Sequence, residues 1–426
     1  MRRALVVAMM LFGCGRTAGV EVPKPGVTTQ PLRGCEGQTV VALEDRRTLT
    51  RITQDGATAL FTFGDGLPAE QTGVSHWDVA GRFVAGVAFI GGSPNTYQYE
   101  YVLLDAVSGA VKYSARKTEP GSPAIYLGAD GSLAIGASTG SVVKPDGSVL
   151  ELGELIPMTP LLPDGSLIVA RGQPWEEKSP KGIWKDGAFT PVTLPSYAAL
   201  HVAGSQVVYA QAGALVSVLD GKRITLPVSE PSIAETAGVF VLLVSGVEAF
   251  VADLEAGTVL KVENVPTPEQ RYSAWSAGLQ SDGAVFIGVP AGEALQLRRS
   301  GDSGATWADV GSPMTAGKDY GLGRWLLARE RGGTVMTLSM STGYGHYVNG
   351  LQLTSARGTH GLETGEVYVN VDLLPGAADL SGDGQCAAAW VARSPYDFMR
   401  LTFIDAEGKQ SVVRTLAEPG WIRFVR

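Results

Sequence analysis

Eight ring-bearing side chains fall in four short stretches: Tyr97 and Tyr99 in 91–99, Trp175 in 171–182, Tyr344, His346 and Tyr347 in 341–347, and Tyr396 and Phe398 in 393–398. Such rings offer apolar area with a polar edge at low entropic cost, which suits a surface that holds a sugar or a protein partner. Glu176 and Asp397 lie among them. Two carboxylates about 5–10 Å apart across a cleft would make a glycoside-cleaving pair. Other chemistry finds less support. His76, His201, His346 and His360 show no metal-ligand spacing, and the three cysteines form no cluster, so no metal site is expected. Asp379-Leu380-Ser381-Gly382-Asp383-Gly384 has the opening of a calcium loop, but Trp390 stands where the bidentate Glu belongs. A tight turn with two turn-favouring Asp is the better reading. Phosphate-loop and G-x-G-x-x-G dinucleotide motifs are missing from the sequence, and no cofactor is implied.

What positions these residues is a repeat. From Ile125 to Leu194 the chain reads twice as four short alternating runs cut by Asp130-Gly131, Asp146-Gly147, Asp164-Gly165 and Asp186-Gly187. Asp-Gly between alternating runs signals a hairpin, because Gly accepts the positive φ of the turn. Each half predicts a four-stranded antiparallel meander, the second beginning at Pro160-Leu161-Leu162. The first turn of the unit recurs at Gly81, Gly131, Gly165, Gly204, Gly238, Gly283, Gly333 and Gly384, at spacings of 34 to 51 residues. That period with four strands per unit is the signature of propeller blades. No stretch shows sustained helical periodicity, and 55 of the 426 residues are Gly. The expectation is one all-β propeller over 35–426, with strands A to D running from the axis outward. The literal count is nine blades; eight is preferred, within a range of seven to nine. Residues 38–63 supply strands B, C and D without an A, and Trp421–Val425 is an orphan apolar strand. Pairing the two closes the ring and removes exposed sheet edges.

In such a meander the A–B and C–D turns lie on one side of the ring and the B–C connections on the other. The four aromatic stretches all fall at B–C positions, three of them in blades near the closure. They are read as long loops that place Tyr97, Tyr99, Trp175, Tyr344, His346, Tyr347, Tyr396 and Phe398 on one binding face. The alternative is that these rings pack on each other and on the rim.

Ser300-Gly301-Asp302-Ser303-Gly304-Ala305-Thr306-Trp307 fits S-x-D-x-G-x-T-W and resembles the Asp-box of sialidases and other propellers. In that motif Asp302 would cap turn N–H groups, Gly304 take left-handed φ and Trp307 plug the turn from below. The resemblance implies a structural corner between strands C and D. A sialidase also needs a Phe-Arg-Ile-Pro-type segment and further Arg; Arg223-Ile224-Thr225-Leu226-Pro227 is the nearest string and reads as an outer strand.

Met1-Arg2-Arg3 followed by an apolar run to Phe12 suits a signal peptide over 1–13, being too short to span a bilayer. Leu11-Phe12-Gly13-Cys14 resembles the lipobox of bacterial lipoproteins, which implies lipid on Cys14. Gly15 in place of Asp implies the outer membrane, on its periplasmic or surface side. An ordinary secretory signal is the alternative. Residues 14–34, rich in Pro, Gly and Thr, read as a tether. Losing Arg2 and Arg3 moves the formal charge from −8 to −10, which argues against nucleic acid as a partner. Cys35 and Cys386 then remain as an even pair in an oxidising compartment and are expected to form a disulfide, two buried thiols being the alternative. Together these readings predict a lipid-anchored, exported, monomeric propeller that binds a protein or carbohydrate ligand, with a carbohydrate-active hydrolase or lyase as the alternative.

Overall fold

All eight glycines at the first turn of the repeat take left-handed φ, between 56° and 85°, the region an L-residue enters at a cost. At three Asp-Gly-Ser corners the Asp also holds the turn from the side. Asp130, Asp146 and Asp164 each accept hydrogen bonds from the backbone N–H and the hydroxyl of the Ser two residues on, at 2.6–3.0 Å. The chain therefore reverses every few residues and pairs with itself locally. The computed structural model describes residues 27–28, 32–68, 71–93, 96–195, 198–246, 248–263, 278–292, 294–315, 324–342, 346–369, 378–391, 399–416 and 422–425.

These residues build nine antiparallel sheets of four strands each, arranged as a β-propeller. Blade 1 joins Ile422–Phe424 to strands within 40–62. Blades 2 to 9 take their strands in turn from 73–119, 124–153, 155–192, 201–225, 232–261, 278–315, 324–369 and 378–416. Eight was the preferred count; the structure has nine, because both irregular stretches near the C-terminus are complete blades. In blade 4 strand A is Leu155–Pro157, upstream of the expected Pro160-Leu161-Leu162. Strand A there is interrupted, not shifted. Met158 N still donates to Ile168 O, and Leu162 N to Ser166 O, while Thr159 Oγ1 takes up Ile168 N.

The core is a set of wedges between blades, since both faces of each sheet are apolar and bury only against a neighbour. Val87, Tyr101 and Leu103 of blade 2 meet Ile125, Leu133 and Ile135 of blade 3. Blades 5 and 6 meet through Val208, Leu215, Val241 and Phe250. The wedge at the closure spans three blades and includes Leu338, Trp390, Phe403, Ile422 and Phe424.

Closure runs through the C-terminal strand, as expected. Val40 pairs with Phe424, Val41 with Arg423 and Ala42 with Ile422. Val425 N donates to Thr39 O at 2.9 Å. Cys35 and Cys386 are disulfide-bonded, with Cα atoms 5.0 Å apart, and tie blade 1 to blade 9. Val27–Thr28 adds a parallel fifth strand to the outer edge of blade 9, opposite Gln410 and Ser411.

Candidate functional site

In two of the four aromatic B–C stretches the described residues are paired strand instead of loop. In blade 2, strand B runs Phe83–Ser93 and strand C Thr96–Asp105, paired out to Ser93 opposite Thr96. In blade 8, strand B runs Thr334–Thr342 and strand C His346–Ser355, paired out to Thr342 opposite His346. Strand D follows in both, reaching Glu119 opposite Tyr97 and Val369 opposite His346. Gly91 and Gly92, within the stretch expected to be a loop, sit in the ladder at φ 133° and 108°, next to a bulge at Phe89. Each hairpin is thus a stiff extension of its blade, on the side opposite the A–B turns.

The extension decides what each ring does. Period-2 alternation puts Tyr97, Tyr99 and Tyr101 on one face of strand C, turned toward blade 3. Tyr99 was expected to be exposed; it is 6% exposed and meets Phe89 edge-on at 5.9 Å. Tyr97 is half-buried, edge-on to the same ring at 6.0 Å. Tyr101 is fully buried, and burial, reinforced by Glu119, pushes its phenol up from the usual value. Glu119 itself is buried and accepts hydrogen bonds from Ser138 N (2.9 Å) and Ser138 Oγ (2.6 Å), fastening the blade 2 extension to the B–C turn of blade 3.

Trp175 is different. Its indole is 63% exposed on a connection that is a true loop, between Leu167–Arg171 and Lys181–Lys185. That loop is pinned by two turns, Glu176 N to Gln173 O and Ser179 N to Glu176 O, and at its ends by Gly172 N to Glu154 O and Arg171 N to Pro180 O, at 2.8–3.2 Å. Glu176 is exposed beside it. His346 and Tyr347 lie on strand C of blade 8. Tyr344, Tyr396, Phe398, Asp397 and Cys14 lie outside the described residues. No group of three or more His, Cys, Asp or Glu among the described residues is arranged to hold a metal ion.

Residues 300–307 form the C–D turn of blade 7. Asp302 accepts from Ser300 Oγ (2.7 Å), Thr306 N (2.8 Å) and Thr306 Oγ1 (2.6 Å). The Thr306 bonds come first among the causes that hold this carboxyl down at about 2. Gly304 has φ +88°, and Trp307 packs on the blade 6–blade 7 wedge while its Nε1 donates to Glu263 O at 3.2 Å.

Sequence reasoning missed the principal charged cluster. Asp379, read as part of a turn, is 1% exposed on strand A of blade 9. Its Oδ1 accepts from Arg329 (2.9 Å) and Arg331 (3.3 Å) of blade 8, and its Oδ2 from Phe424 N (2.9 Å) of blade 1. One carboxylate therefore joins three blades and caps a backbone N–H on the inner edge of the closing strand. Glu235 of blade 6 does the same for Leu279 N of blade 7, at 2.8 Å. The available signal was two Arg at period 2, Arg329 and Arg331, in a strand otherwise rich in apolar residues.

The sequence matches no family model and no curated protein. Among solved structures, the crystal structure of a eukaryotic initiation factor superposes with TM-score 0.56 at 10% identity, over 91% of this chain and 98% of that one. The β-propeller domain of the Trilobed protease from Pyrococcus furiosus gives TM-score 0.39 at 12% identity, over 69% of this chain and 95% of that one. Dipeptidyl peptidase 4 of Porphyromonas gingivalis gives 0.43 at 11%, over 90% of this chain, which spans 58% of that longer one. At such identities the likeness is one of fold alone, a β-propeller.

Proposed function

We propose that this chain is an exported β-propeller, held at a membrane by lipid on Cys14, whose B–C side binds a protein or carbohydrate ligand. The observation that carries the binding role is Trp175: a mostly exposed indole on a loop fixed by its own turns. A large ring carried on a braced loop offers apolar area with a polar edge, and the loop needs little ordering on contact. The stiff hairpins of blades 2 and 8 frame the same side of the ring. The Cys35–Cys386 bond supports export, since such bonds persist in oxidising compartments. Lipid on Cys14 supplies the tether, at the outer membrane on this reading. The bonds at Asp302 support reading 300–307 as an Asp-box, a corner that stiffens blade 7 and carries no chemistry.

Two measurements test this. Radiolabelled palmitate should enter the full chain and not Cys14→Ser, and the variant should leave the membrane fraction. A glycan array and a pull-down from envelope extract should give a ligand that Trp175→Ala loses at unchanged melting temperature. Membrane retention of unlabelled Cys14→Ser, or identical ligand capture by Trp175→Ala, overturns the corresponding half. Turnover of a captured glycan, abolished by Glu176→Gln, would replace binding with hydrolysis.

A further inference from the structure

Three blades enter strand B through the same two-residue turn. Ala80-Gly81-Arg82-Phe83, Ala203-Gly204-Ser205-Gln206 and Ala237-Gly238-Val239-Phe240 each pair the Ala with the fourth residue, and the Gly takes φ 57°, 60° and 56°. In blades 2 and 6 the fourth residue is Phe, and its ring plugs the gap to the following blade. A Cβ on Gly131 would lie 2.1 Å from the Phe83 ring, and one on Gly283 3.0 Å from the Phe240 ring. In blade 5 it is Gln206. Its Oε1 accepts from Ser217 Oγ of its own blade at 2.8 Å. The next A–B glycine, Gly238, has Ser281 of blade 7 as its nearest neighbour instead of Gln206.

The missing ring leaves a cleft of about 190 Å³ between blades 5 and 6. Its apolar walls are Leu215 and Ile224 on one side and Val239 and Leu254 on the other, with Asp220 and Glu255 also bordering it. Lys222 borders it too, but its Nζ donates across the gap to Leu254 O at 3.2 Å. The cleft opens among A–B and C–D turns, opposite the side that carries Trp175. A cavity of roughly 150 Å³ accepts benzene, whereas whole small-molecule sites run to about 300–1,000 Å³. The space therefore fits one aromatic ring that belongs to something larger. Two carboxylates beside one engaged ammonium favour a cation next to that ring.

We propose that the blade 5–blade 6 cleft receives the Phe or Tyr ring of a partner peptide, with an adjacent Arg or Lys facing Asp220 and Glu255. The ring takes the place that Phe83 and Phe240 fill from within the chain. This site is separate from the B–C side and stands or falls independently of it.

The full chain is titrated with Ac-Phe-Arg-NH2, Ac-Phe-Glu-NH2 and Ac-Leu-Arg-NH2, read by saturation-transfer NMR. Saturation is expected on the phenyl protons of the first peptide, with about tenfold weaker binding of the other two. Gln206→Phe should abolish transfer while melting no lower than wild type. Glu255→Lys, on an exposed side chain, should reverse the preference toward Ac-Phe-Glu-NH2 and decides the matter if Gln206→Phe fails to fold. No transfer to wild type, or transfer unchanged in Gln206→Phe and Glu255→Lys, overturns the proposal.

Discussion

Blades 8, 9, 1 and 2 are built differently from blades 4, 5 and 6. Around the closure, three buried carboxylates each meet an Arg: Asp379 with Arg329 and Arg331, Glu44 with Arg414 through two 3.0 Å bonds, and Glu100 with Arg116 at 2.7 Å. A disulfide crosses from blade 9 to blade 1, and strands B and C of blades 2 and 8 run 9–11 residues. On the far side, strands of blades 4 to 6 run 3–6 residues. Its ion pairs, such as Lys185–Asp164 and Lys261–Glu248, are about half exposed on both partners. The far blades follow one another directly in sequence, and each pairs locally. Blade 1 instead takes a three-residue strand from the opposite end of the chain. So short a ladder cannot fix its own register, and directional buried bonds specify what hydrophobic contact leaves degenerate.

Asp379→Ala should break this contrast most severely. It leaves Arg329, Arg331 and the Phe424 N–H without the group that joins them, at a cost of about 3–5 kcal/mol, read as a lower urea midpoint. Hydrogen exchange should rise first in 422–425 and 40–44. Equal loosening of blade 5 would show that closure is not the weak point. Next, replacing both Cys35 and Cys386 with Ser should cost about 2–4 kcal/mol, and reductant should shift wild type to the same midpoint. On the far side, Lys185→Ala is expected to lower the urea midpoint only slightly, because both partners are solvated. Asp164, held down at about 2 chiefly by Lys185, contributes stability above its unfolded value near 3.8 and loses it as pH falls toward 2. The Lys185→Ala deficit should therefore vanish in acid.

The smallest effect is expected at Glu235, and its sign is opposite. Burial raises its carboxyl above the usual 4.5, against the pull of Leu279 N and Arg329. Stability present below the unfolded value is lost as pH rises through the folded one. Glu235→Gln keeps an acceptor for Leu279 N without this loss. It should match wild type near pH 4 and exceed it slightly at pH 7 in urea midpoint. A deficit at pH 7 would mean that the charge on Glu235 serves Arg329 more than burial opposes it.

Much of the architecture was legible because it is local. Gly at the first turn, alternation on either side and an orphan strand at Trp421–Val425 are read within a few residues, and each has one stereochemical meaning. The aromatic stretches were harder. The stretch 91–99 reads as a loop, yet Tyr97-Gln98-Tyr99-Glu100-Tyr101 alternates as a strand, and the strand prevailed because strands B and D pair with it on either side and blade 3 buries one face. Asp379 was misread for the complementary reason. An Asp ahead of Ser-Gly-Asp-Gly is a turn residue by every local rule.

By itself the sequence determined the repeating unit, the glycine at its first turn and the partner of the C-terminal strand, since all three follow from backbone stereochemistry and apolar periodicity within short windows. Only the tertiary structure decided the number of blades, which rings are buried, and that Asp379 joins three blades. These depend on which faces meet after the ring closes, and groups 50 residues apart, such as Arg329 and Asp379, become neighbours only then.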